Sequence, residues 1–273
     1  MLAASFVKFI PWFRLPAMSQ TSSTPLRDSG SVKSRLGVPV YLLLGAVGGI
    51  LGALLLNRFE NQFLVNTPDD LLGAQGIYNP EQRARIVNEQ LHADHKNMPL
   101  SLGLMGAALT GTLALVIGWG SGAPRAAGRG LLAGLVLGGL LAATGAVLSI
   151  AAREALRGWN TLDSMGQPHP IKSQLHTMSH QAPTWLGIAA AIGLSTWVST
   201  GCRNRAVRLA GVATLGALLM LLVFPLAASL IHTQDPAGVI PQGWFNQAGW
   251  GVLGGGMMGF VIGRSLREHP EER

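Results

Sequence analysis

Six stretches of this chain are apolar for about the length a helix needs to cross a bilayer, and that feature excludes most folds. Roughly 20 residues span the ~30 Å of hydrocarbon. Inside it every backbone polar group must be satisfied within the element, which leaves helices or closed barrels. The stretches are 37–56, 98–119, 130–152, 182–202, 209–231 and 244–263. Each far exceeds the ~10 residues of a membrane strand. The last is rich in glycine and reaches spanning length only with Trp244 and Phe245 as an interfacial start. The expected fold is an all-α integral membrane protein, with six transmembrane helices in a domain over 37–263.

Basic residues set the orientation, because Lys and Arg near helix ends are retained in the cytoplasm. Lys33 and Arg35 precede the first stretch and Arg125 and Arg129 join the second to the third. Arg203, Arg205 and Arg208 join the fourth to the fifth, and Arg264 and Arg267 follow the sixth. All four groups fall on one side. The opposite loops, 57–97, 153–181 and 232–247, mix acids with bases and hold six of the seven histidines. Both termini are therefore expected in the cytoplasm of a bacterial inner membrane, with 264–273 as a cytoplasmic tail. Residues 1–36 read as a largely disordered cytoplasmic segment. Within it 1–17 is either a small interfacial helix or sequence upstream of a true start at Met18.

Composition closes other classes. A net charge of +7 is compatible with nucleic-acid binding, but the cations punctuate apolar segments instead of forming an aromatic-interleaved basic face, so nucleic acid is not an expected partner. Cys202 is the sole cysteine, which removes both a disulfide framework and thiol-pair redox chemistry.

The chain repeats itself. Setting 90–103 (QLHADHKNMPLSLG) over 174–187 (QLHTMSHQAPTWLG) gives six identities in fourteen positions at an offset of 84. A fainter third copy, FNQAGW at 245–250, follows the second at an offset of 66, with Gln242 and Asn246 in the histidine positions. The odd-numbered stretches echo one another as GALLL (52–56), GAVLS (145–149) and GALLM (216–220). Repeats of two spans keep one orientation, so three hairpins in a parallel pseudo-repeat about the membrane normal are expected. Small residues recur every four positions through Gly103, Ala107 and Gly111, through Gly187, Ala191 and Ser195, and through Gly251, Gly255, Gly259 and Gly263. Such faces let helix backbones approach closely, and they are expected to meet at the bundle centre or between subunits.

No Asp, Glu, Lys, Arg or His lies inside any of the six stretches. Ion-coupled carriers place ionisable groups at membrane depth despite the cost, so a proton-driven carrier is disfavoured, as is a haem between mid-membrane histidines. The ionisable groups gather instead at the outer ends of the second and fourth stretches: His92, Asp94 and His95 in one copy, His176 and His180 in the other. Asn79, Pro80 and Glu81 have the form of a helix start, predicting a short extracytoplasmic helix over 80–96, and 170–181 reads likewise. On such a helix His176 and His180 share one face. Two or three imidazoles with Asp94 are a donor set for a transition metal or haem iron. Asn97, Gln181 and Gln247 read as a ring of amides that either caps helix ends or forms a polar mouth. Arg58 with Glu60, and Arg153 with Glu154, read as surface ion pairs of little energy.

No catalytic motif appears. Three readings follow: a redox-associated or non-enzymatic membrane protein with an extracytoplasmic histidine/amide site; a channel or facilitator for a small neutral solute; and a structural subunit that packs in a homo-oligomer or against other membrane subunits.

Overall fold

The structure is a computed structural model, and it describes residues 36–63, 79–122, 124–156, 170–231, 240–241 and 243–269. The expected N-terminal segment up to residue 35, with Lys33, Arg35 and the alternative start at Met18, lies outside the described residues, as do His169, His232, Gln242 and the end of the tail.

Among the described residues all regular structure is helical: α1 (Val38–Phe59), α2 (Pro80–Gly120), α3 (Pro124–Ala155), α4 (Pro170–Thr200), α5 (Arg203–Ile231) and α6 (Trp244–Glu268). The start of α2 follows from local chemistry. The Asn79 side chain accepts from Gln82 N at 2.8 Å while Gln82 Oε1 accepts from Asn79 N at 2.9 Å, and Pro80 occupies a position that has no intrahelical donor to lose. What differs from expectation is that this helix does not stop at the membrane. It runs unbroken through Pro99 for 41 residues, and α4 likewise runs through Pro183 for 31. The two short helices expected over 80–96 and 170–181 are the N-terminal parts of the long helices α2 and α4. At 1.5 Å per residue α2 is about 60 Å long, twice the hydrocarbon thickness.

Among the described residues, four helices are long and apolar enough to cross a membrane: α1, α3, the Ala84–Gly120 part of α2 and the Arg203–Ala227 part of α5. The chain is a helical membrane protein. α4 and α6 are less apolar because much of what they bury is polar or small: Thr184, Ser195, Thr196 and Ser199 in α4, Asn246, Gln247 and glycines in α6. Several hydroxyls inside the helices are satisfied locally. Ser101, Thr112, Thr144, Thr196 and Ser199 each donate to a carbonyl three or four residues earlier, at 2.7–3.0 Å, so none of these donors faces lipid unpaired.

The helices form a closed ring in chain order, α6 returning to α1, with α2 and α4 also in contact across the interior. Two connections are tight turns ending in a left-handed glycine, Gly122 (φ 76°) after α2 and Gly201 (φ 71°) after α4, a conformation that side-chain-bearing residues avoid. Neighbouring helices are antiparallel, so Arg125, Arg129, Arg203, Arg205, Arg208, Arg264 and Arg267 lie at one end, and Glu60, Asp94 and Glu154 at the other.

Glycine decides how close the neighbours come. On α6, Gly251, Gly255 and Gly259 lie against the backbone of Gly49, Gly45 and Tyr41 of α1, and a Cβ at any of the three would overlap a carbonyl oxygen; Gly263 lies against the Tyr41 ring. Gly103 meets Gly139 and Ala143 of α3, and Gly187 meets the Leu141 carbonyl. The small faces of the even helices thus turn toward α1 and α3, and not toward one another. The centre is filled by large side chains: Trp185 of α4 and Trp250 of α6 pack edge to face with centroids 4.9 Å apart, beside Leu109, Ile188, Ile192 and Met258, all fully buried. Such an aromatic pair contributes about 0.5–1.5 kcal/mol beyond burial.

Replacing Gly255 by Leu should therefore push α1 from α6 and destabilise the protein by roughly 3 kcal/mol, at the upper end of overpacking costs. A methyl group added at Gly211 would meet nothing within 4 Å, so Gly211→Ala should be neutral or stabilising by up to ~1 kcal/mol. Melting curves in detergent check both, and equal stability of Gly255→Leu and wild type would show that the α1–α6 contact carries no energy.

Candidate functional site

The acid-bearing end is built from the N-terminal parts of α2, α4 and α6 and the last turns of α1 and α3. Each expected amide position is buried, Asn97 at 6%, Gln181 at 0% and Gln247 at 1% exposure. Each is already engaged inside the protein. Asn97 makes a two-way clasp with the backbone of Phe63 beyond α1: Phe63 N donates to Oδ1 at 2.7 Å, and Nδ2 donates to Phe63 O at 2.8 Å. Lys96 lies 5.9 Å above the Phe63 ring. Gln247 accepts from Asn57 Nδ2 at 3.1 Å and donates to the Glu60 carboxylate. Gln181 accepts from Trp250 Nε1 at 3.2 Å. The amides are clasps between helices, each holding a different partner.

The five expected metal ligands fall into two places. On α2, Asp94 Oδ2 lies 3.5 Å from the Arg153 guanidinium and His95 Nε2 lies 3.3 Å from Glu154 Oε1, both partners on α3. Arg153 and Glu154, expected to pair with each other, reach across to α2 instead, because adjacent residues on a helix point in different directions. His92 is exposed on the same helix. On α4, His176 and His180 stack edge to face with centroids 4.6 Å apart and an interplanar angle of 88°. His180 is 1% exposed and His176 is half-buried. Among the described residues no group of three or more His, Cys, Asp or Glu side chains is placed to hold a metal ion.

Other functional-looking residues were not singled out in the sequence. Ser149 and Thr184 hydroxyls meet at 3.2 Å between α3 and α4, and Gln174 Nε2 donates to the Leu222 carbonyl of α5 at 3.1 Å. Glu60 is the larger departure from expectation. It does not act as a surface ion-pair partner, since it is half-buried against Gln247. Burial pushes its carboxyl above the ordinary range, and the hydrogen bond from Gln247 opposes this in part. The only sequence signal was Asn57 and Glu60 three positions apart at the end of a span, which places them on one face.

No family model matches the chain, and no curated protein or solved structure matches it either. Fold and site therefore define it as a helical integral membrane protein whose polar clasps are concentrated at one end.

Glu60 yields a pH prediction. A carboxyl whose folded-state pKa is raised contributes stability that is present below its unfolded value and is lost as pH rises through the folded value. Glu60→Gln keeps an acceptor for Gln247 and removes the charge. At about pH 8 it should raise stability by roughly 1 kcal/mol or less, discounted for partial exposure, and at about pH 4 it should change nothing. Melting temperatures of both proteins at the two pH values check this; a variant less stable at the higher pH would mean the ionised form is the one the fold prefers.

Proposed function

We propose that this chain is a six-span protein of a bacterial inner membrane, with both termini cytoplasmic, that presents a histidine and amide site at its outer end. In this reading His176 and His180 receive a transition-metal ion, free or as haem iron. The observation that carries it is the pair of imidazoles one turn apart on α4, one of them almost fully buried beside Gln181 at the mouth of the bundle. Neutral imidazole is the commonest protein ligand for such metals. His176 is half-exposed, so its ring can turn from the edge contact toward an incoming ion, leaving the remaining coordination positions to water or to a ligand. A path for a neutral solute along the axis is the weaker reading, since Trp185 and Trp250 stand in it.

Two features support the topology and the three-hairpin repeat. Seven of the eleven described arginines lie at the end where the two short turns are, with no acid but Glu268 among the described residues there, in the pattern of cytoplasmic loops. The glycines of the odd-helix echoes also recur in role: Gly52 lies against Met105 of α2, Gly145 against Thr184 of α4 and Gly216 against Met258 of α6, each the next even helix.

Metal analysis and an absorption spectrum of detergent-purified protein test the site. About one ion per chain is expected, lost in His176→Ala/His180→Ala and retained in His92→Ala. An ion-free, colourless wild-type protein with a stable co-purifying membrane partner would replace this reading with that of a structural subunit. For topology, a reporter fused after Arg267 should be active only in the cytoplasm, and activity on the outer side would reverse the arrangement.

A further inference from the structure

We propose that the groove between α4 and α5 at the arginine-bearing end binds an anionic phospholipid, taking an acyl chain in its apolar trough and the phosphate on Arg203. The groove has a volume of about 420 Å³, within the range of about 300–1,000 Å³ that ligand pockets occupy. Its floor is where the two helices touch: a Cβ on Gly193 would lie 2.6 Å from that of Ala210. Leu194, Trp197 and Val207 form the walls, and Arg203 is the one charged side chain in the lining. Arg203 is exposed and makes no ion pair among the described residues. An apolar trough ending in an uncommitted guanidinium is complementary to a phospholipid, tail and head together.

Depth and charge point the same way. Trp197 is half-exposed one turn before the α4–α5 connection, the level at which amphipathic rings sit at a membrane surface. Six further arginines occupy this end of the bundle, and basic residues beside a membrane helix attract anionic headgroups. The arrangement recurs in part around the ring. A pocket of about 490 Å³ between α1 and α6 holds Phe260, Arg264 and Arg267, but there Arg264 is bound to Glu268 at 2.8 Å. A pocket of about 460 Å³ between α2 and α3 holds Trp119 and no charged side chain. Of these three, the α4–α5 groove alone has an otherwise apolar lining with one cation and no acid, whereas the α1–α6 pocket carries Arg264, Arg267 and Glu268 together. A partner helix would cover the trough and leave Arg203 without a counter-charge, so a lipid fits better than a second protein. This inference rests on membrane insertion of α5 and not on the histidine site.

The test is native mass spectrometry of the full chain released from detergent after incubation with phosphatidylglycerol or phosphatidylcholine of identical acyl chains. Wild type should retain phosphatidylglycerol in preference. Arg203→Gln should weaken that lipid roughly fivefold, the factor corresponding to ~1 kcal/mol per basic residue near an anionic surface, and leave phosphatidylcholine unchanged. Ala190→Trp, which fills the trough without altering charge, should weaken both. Equal retention of the two lipids by wild type, or phosphatidylglycerol binding unaffected by both substitutions, overturns the proposal. So does release of a co-purifying membrane protein by Ala190→Trp with lipid retention at the wild-type level.

Discussion

The helices lie where they do because glycine removes the side chains that would hold α1 and α6 apart. Inside a bilayer, lipid tails are as apolar as leucine, so helices gain little by hiding apolar surface from them, and association depends on close backbone approach and hydrogen bonds. Gly45 and Gly49 on α1 and Gly251, Gly255 and Gly259 on α6 form one reciprocal seam in which each backbone occupies the space of the other's missing Cβ. That seam joins the first helix to the last and closes the ring. A closed ring in turn determines which side chains face inward. The same device at Gly106, Gly134 and Gly138 draws α2 against α3.

Closing the ring has two chemical consequences. It directs Trp185 and Trp250 into the middle, where the Trp185 ring lies over Gly254 and Trp250 finds Gln181, and so fills the interior with side chains. It also brings the acid-bearing helix ends together, where buried amides must find partners because an unsatisfied polar group there is costly. Asn97, Gln181 and Gln247 each find a different one. The proposed histidine turn sits within this clasped end, and the proposed lipid groove sits at the opposite, arginine-bearing end. The polar chemistry of the molecule is thus divided between the two mouths of a bundle whose middle is packed.

Much of the fold was legible in the sequence for a simple reason: hydrocarbon permits few structures, and runs of apolar residues announce helices through composition alone. The positions of α1 to α6, the Asn79 start and the gathering of arginines at one end follow from local rules about length, capping and charge. The continuity of α2 and α4 through Pro99 and Pro183 was not legible, because proline marks a helix boundary in an isolated chain and becomes tolerable only where neighbouring groups re-satisfy the backbone. The burial of the polar side chains of α4 and α6 was also hidden, since only a helix sheltered by its neighbours can carry Thr196 or Gln247 without exposing them to lipid.

The sequence by itself determined an all-helical membrane protein, its helix segments, and glycine faces able to pack. Tertiary structure alone decided the partners. The glycine faces of the even helices meet odd helices, Asp94 and His95 turn to Arg153 and Glu154 on α3, and Gln181 turns to Trp250 on α6. The physical reason is that periodicity specifies which face of a helix a residue occupies but not which helix lies opposite. That second fact depends on how the ring closes, and residues more than 180 positions apart, such as Glu60 and Gln247, meet only once it has.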